Sequence, residues 1–161
     1  MPMSDSGRLL RAVAAIITVE LIGNAGSIFT LPSITGWYAS LSKPWFTPPN
    51  WAFGPAWTIL FALMGLSAWL VWERRRKDRN ADSALRAFGL QLALNVLWSL
   101  LFFGLRSPLY GLIGIYALII AIIYAMVKFR KVSGTAFALM VPYLLWVTFA
   151  SFLNLYVLLL N

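Results

Sequence analysis

The chain has 161 residues, of which 61% are hydrophobic, 16% aromatic and 11% charged, and its formal net charge is +8. Soluble domains are about 45–50% apolar and about 25% charged, so a chain this poor in charge cannot cover its own core in water. The composition excludes a soluble globule and a disordered segment. It contains no cysteine, no histidine and five acids (Asp5, Glu20, Glu73, Asp78 and Asp82), which argues against thiolate or histidine chemistry, a catalytic carboxylate pair and a metal site.

Crossing ~30 Å of hydrocarbon takes about 20 residues. Five charge-poor stretches reach that length in chain order: 13–31, 51–72, 87–105, 109–127 and 135–160. Pro32 follows the first, and Glu73-Arg74-Arg75-Arg76-Lys77 stops the second. Arg86 and Arg106 bracket the third, and Lys128-Phe129-Arg130-Lys131 closes the fourth. The pattern predicts an all-α integral membrane protein, a bundle of five transmembrane helices forming a single domain over residues 1–161. Arg8 and Arg11 ahead of an apolar run also fit a signal peptide, but the run is longer than a signal core and carries Glu20 and Asn24, so it is read as the first helix.

Within that helix, Glu20 is the only acid at membrane depth, which by default marks a functional position. A lone acid without an intramembrane Lys, Arg or His is a poor proton relay, and a bond to Asn24 would give it a structural use. Residues 33–50 form a connection longer than the fold needs, stiffened by Pro44, Pro48 and Pro49. Its Trp37, Tyr38, Trp45 and Phe46 suit either an aromatic belt at the headgroup level or a lid over the bundle.

The second span sets Phe53, Trp57, Leu60, Phe61 and Met64 on one stripe, the third Gln91, Asn95, Trp98 and Phe102, and the fifth Pro142, Trp146, Ala150 and Asn154. Amides and indoles on facing stripes predict an aromatic-walled cavity. Interhelical hydrogen bonding is the plainer use of each amide taken singly. In the fourth span, Gly111, Gly114, Ala117, Ala121 and Ala125 form a small-residue stripe that fits internal packing or a homodimer face.

Lys and Arg residues set orientation. Arg8, Arg11, Arg74, Arg75, Arg76, Lys77, Arg79, Arg86, Lys128, Arg130 and Lys131 fall at one end of the predicted bundle, against Lys43 and Arg106 at the other. The bias predicts a cytoplasmic N-terminus, an outside C-terminus and a prokaryotic plasma membrane. It makes contact with anionic lipid the better use of the basic run at 74–79 and nucleic-acid binding the weaker one.

Three motifs resemble the TspO/MBR family of translocator and tryptophan-rich sensory proteins: Trp37-Tyr38-x-x-Leu41-x-Lys43-Pro44-x-x-x-Pro48-Pro49-x-Trp51-x-x-Gly54-Pro55-x-Trp57, then Gln91-Leu92-Ala93-Leu94-Asn95-x-x-Trp98, then Pro142-Tyr143-Leu144-x-Trp146. The resemblance implies a five-helix bundle, commonly a homodimer, that binds porphyrins such as protoporphyrin IX, or other hydrophobic ligands, with no required cofactor. It implies a pocket of Trp37, Tyr38, Phe53, Trp57, Asn95, Trp98, Tyr110, Trp146, Phe149 and Ala150, its mouth towards the loop after the first helix. It also implies light-dependent porphyrin degradation, with Trp57 and Trp146 as the catalytic candidates, or a sensory role. Porphyrin or lipid transport is the rival reading, but no inverted repeat or intramembrane ion pair supports it.

The ring of a bound porphyrin is expected near Trp57 and Trp146, with its propionates towards the outer mouth, where Lys43 is a candidate partner. Two departures from the family pattern stand out. Ser99 and Leu100 follow Trp98 where relatives often carry proline, and no Lys or Arg follows Tyr156, which weakens the expectation of sterol binding.

Overall fold

The computed structural model describes residues 5–161, all of its regular structure helical. Seven α-helices follow in order: α1 Asp5–Asn24, α2 Ser27–Ile34, α3 Trp37–Ser40, α4 Asn50–Arg74, α5 Asn80–Ser99, α6 Pro108–Val132 and α7 Gly134–Leu160. A π-helical turn, Leu100–Gly104, continues α5. Four of these segments are long and apolar enough to cross a membrane: α4, α5 with its π turn, α6 and α7. The bent pair α1 and α2 passes the same test together. The chain is a multi-pass membrane helical bundle.

Local chemistry sets the helix ends. Ser107 accepts the Tyr110 backbone N–H at 3.3 Å while Pro108 occupies the first turn of α6, where its missing N–H costs nothing. Ser133 caps α7 in the same way through the Ala136 N–H. Arg130 and Lys131 sit in the last turn of α6, where cations complement the helix dipole.

The core lies among α4, α5, α6 and α7, where Met64, Ile115, Leu118, Ile122, Phe129, Met140 and Tyr143 are almost fully buried. With hydrocarbon on the outside, close packing and internal hydrogen bonds must hold the helices together. At the α1–α4 crossing, a Cβ on Gly65 would lie 2.5 Å from the Ile16 Cα, so only glycine permits this approach. Gly111, Gly114, Ala121 and Ala125 are buried, with Gly111 against Phe102 and Asn154 and Gly114 against Leu101, while Ala117 is exposed. Most of the small-residue stripe therefore serves internal packing. Ser67 Oγ donates to the Ala136 carbonyl at 2.7 Å, tying α4 to α7.

Two departures from the sequence expectation shape the site. The first span is not one helix over 13–31: α1 starts at Asp5 and ends at Asn24, and the chain resumes as α2 at an angle of 49°. Gly26 at the break packs against the Ser99 side chain, with no room for a Cβ. Residues 33–50 also begin inside α2 and contain α3. The second departure lies after Trp98, where no proline bends the chain. The helix widens instead, closing with the Leu105 N–H on the Leu100 carbonyl at 2.8 Å.

Candidate ligand-binding site

Below its break α1 packs on α4, whereas α2 swings away to the π turn, where Ser33 Oγ donates to the Phe103 carbonyl at 2.9 Å. This divergence opens a cavity of about 530 Å³ bounded by α1, α2, α3, α4, α5, the π turn and α7. Pockets for small organic ligands typically span about 300–1,000 Å³.

Its walls are largely aromatic. From α4 come Phe53, Trp57 and Phe61, with Trp57 stacked on Phe61 at 5.2 Å between centroids. The α5 segment supplies Asn95, Trp98, Phe102 and Phe103. The π turn inserts an extra residue, so Phe102 and Phe103 both border the cavity although adjacent in sequence. Trp98 stacks on Phe102 at 5.8 Å and meets the Phe103 edge at 5.9 Å. Trp146 and Ala150 close the α7 side, with Trp146 set edge-on to Phe53 at 6.0 Å. Tyr38, buried in α3, completes the wall, and burial pushes its phenol pKa up so that it stays neutral.

Few polar groups face this interior. Asn95 Nδ2 donates to the buried Tyr143 hydroxyl at 3.1 Å, and Asn154 Nδ2 donates to the Pro108 carbonyl at 2.7 Å. Both amides join helices and border the cavity at once. Gln91 of the same α5 stripe is fully buried, lies outside the cavity lining and has no hydrogen-bond partner among the described residues. At the rim, Asn24, Leu31, Asn50, Trp51 and Gly54 are exposed, which places the mouth between the α1–α2 bend and the start of α4. Asn24 Nδ2 also donates to the Glu20 carboxylate at 2.9 Å, so the intramembrane acid has a local partner.

Of the ten pocket residues expected from sequence, seven border one cavity: Tyr38, Phe53, Trp57, Asn95, Trp98, Trp146 and Ala150. The other three stand outside it. Trp37 packs edge-on against the back of Phe102 at 5.5 Å. Phe149 faces an outer groove between α4 and α7 and touches Phe46. Tyr110 is half exposed at the start of α6, none of whose residues line the cavity.

Lys43 is likewise unavailable as an anchor inside. Its ammonium donates to the Tyr38 and Leu41 carbonyls at 2.7 and 2.9 Å and lies over the Tyr38 ring. Among the described residues no Lys or Arg lines the cavity. Of the loop aromatics, Trp45 is 95% exposed, while Phe46 meets Tyr156 of α7 edge-on.

The TspO/MBR family profile matches residues 14–160. The chain belongs to the TspO/MBR family. It is 50% identical to the tryptophan-rich protein TspO of Archaeoglobus fulgidus over 154 residues, covering 95% of this chain and 98% of that one. It is 45% identical to the tryptophan-rich protein TspO of Chlorobaculum tepidum, over 87% of this chain and 89% of that one. Against the human translocator protein the identity is 36%, over 80% and 77% of the two chains. The motifs that carry the resemblance overlap the cavity at Tyr38, Trp51, Gly54, Trp57, Asn95, Trp98 and Trp146.

The sequence missed the contribution of α1 and α2. Asn24, Ser27, Thr30, Leu31 and Ile34 border the cavity because of the helix break, which no proline at the break announces. Phe61, Phe102 and Asn154 were within reach, since each shares a stripe with an expected pocket residue.

Proposed function

We propose that this family member binds porphyrins such as protoporphyrin IX, and other flat hydrophobic ligands, inside the helix bundle. The observation that carries the reading is the cavity, with the indoles of Trp57, Trp98 and Trp146 and the amides of Asn95 and Asn154 around a space of about 530 Å³. A tetrapyrrole is a broad apolar disc, and stacking against aromatic faces rewards it without acid–base groups. Because Lys43 is committed to carbonyls, the carboxylate edge belongs at the mouth, beside Asn24 and Asn50, where water reaches it. The Arg-rich end faces the cytoplasm in this reading.

Titrating the purified chain with protoporphyrin IX tests the proposal. The expected result is a saturable change in the porphyrin absorption band and a rise in melting temperature that grows with ligand concentration. Absence of both overturns it. The placing of Trp57 and Trp146 at one cavity also supports light-dependent oxidation of a bound porphyrin by oxygen, with these indoles nearest the ring.

A further inference from the structure

At the Arg-rich end of the α1–α4 seam, three arginines meet two indoles, and they are not equivalent. Arg8 lies 5.9 Å from the Trp69 ring centre and reaches the Glu73 carboxylate through Nε and a terminal nitrogen, at 3.2 and 2.8 Å. Arg11 and Arg75 both gather at Trp72, 5.4 and 4.1 Å from its centre, and neither makes a salt bridge or side-chain hydrogen bond among the described residues; the Glu73 carboxylate feels the charge of Arg11 but is bonded to Arg8. Arg74 is spent on the Val132 carbonyl.

We infer that Arg11, Trp72 and Arg75 seat the phosphate group of an anionic phospholipid at this end of the bundle. Two like charges held at one indole favour an anion that neutralises both. A guanidinium stacked on an aromatic face keeps its in-plane N–H groups free for phosphate oxygens.

The depth suits a lipid rather than a free anion. Trp72 ends the apolar run of α4 and Arg11 precedes that of α1, so both stand at headgroup level, where tryptophan concentrates. Past Arg11 into the hydrocarbon, α1 exposes Val13, Ala14 and Ile17, apolar surface for acyl chains. The site is separate from the ligand cavity and does not depend on what that cavity holds.

The test titrates phosphatidylglycerol into the full chain in neutral micelles containing phosphatidylcholine and follows the melting temperature. The expected result is a saturable rise whose apparent Kd weakens about tenfold or more in R11Q/R75Q, the scale of one lost charge-assisted hydrogen bond. R76Q/R79Q removes the same charge away from Trp72 and is expected to weaken it far less. Equal losses in the two double variants would reduce the effect to diffuse charge and overturn the site. An equal rise with inorganic phosphate would overturn the lipid as its occupant. Should R11Q/R75Q fail to fold, R11K and R75K keep the charge and lose the fork: weakened binding supports the seat, and unchanged binding overturns it.

Discussion

Asn95 and Tyr143 share a buried hydrogen bond of 3.1 Å between α5 and α7, and Asn95 faces the cavity while Tyr143 stands behind the wall. The phenol fixes the amide, leaving the Asn95 Oδ1 for a ligand. Tyr143→Phe leaves a buried amide without its partner and is expected to cost about 1–3 kcal/mol of stability. Thermal unfolding in detergent reads the loss. Asn95→Leu should lower ligand affinity as well, whereas a variant that kept full affinity would take Asn95 out of the recognition surface.

Lys43 gives a prediction about ligand charge. Its ammonium is held by the Tyr38 and Leu41 carbonyls, so it organises the loop around α3 and is not a carboxylate receptor. Lys43→Met should lower stability by disordering that turn. The ratio of affinities for protoporphyrin IX and its dimethyl ester should stay unchanged from the unsubstituted protein. A selective loss of the free acid would show that Lys43 contacts the propionates.

Packing at the α1–α4 crossing predicts a mutation far from the ligand. Gly65→Ala sets a Cβ 2.5 Å from the Ile16 Cα, a backbone atom that moves only with its helix. Overpacking of this kind costs about 1–3 kcal/mol. Gly54→Ala, where an added Cβ meets nothing within 4 Å, is the control and should leave the unfolding temperature nearly unchanged.

Much of this arrangement was legible in the sequence. The apolar runs located α4, α5, α6 and α7 because hydrocarbon demands internally bonded helices of near-fixed length, whereas the first run did not show that its span is broken into α1 and α2. Trp57 and Trp146 were legible as cavity-facing because bulky indoles pack poorly at tight helix crossings, while Asn95 and Trp98 entered through the family resemblance, each amide taken singly having a plainer use between helices. What stayed hidden depends on departures from regular helix. The break at residues 25–26 rests on close approach to Ser99, which no local motif records. The π turn replaces a proline kink with a widened turn, and only the fold shows that it turns both Phe102 and Phe103 inward. Tyr110 stands apart from the cavity because α6 packs against α5 and α7 and none of its residues lines it.

Light provides a separate test of the two cavity indoles. Bound protoporphyrin IX, illuminated in air, is expected to bleach more slowly in Trp57→Phe/Trp146→Phe than in the unsubstituted protein when both are saturated with ligand. Equal rates at equal occupancy would assign the bleaching to the porphyrin and oxygen alone.

The most direct measurement is quenching of tryptophan emission by protoporphyrin IX, repeated in Trp57→Ala/Trp146→Ala and in Trp45→Ala. Trp45 is the exposed comparison, at 95% of its free surface. Saturable quenching that survives Trp45→Ala and loses its affinity in the double variant is the predicted result. Equal affinity in all three proteins would contradict an interior site between α4 and α7.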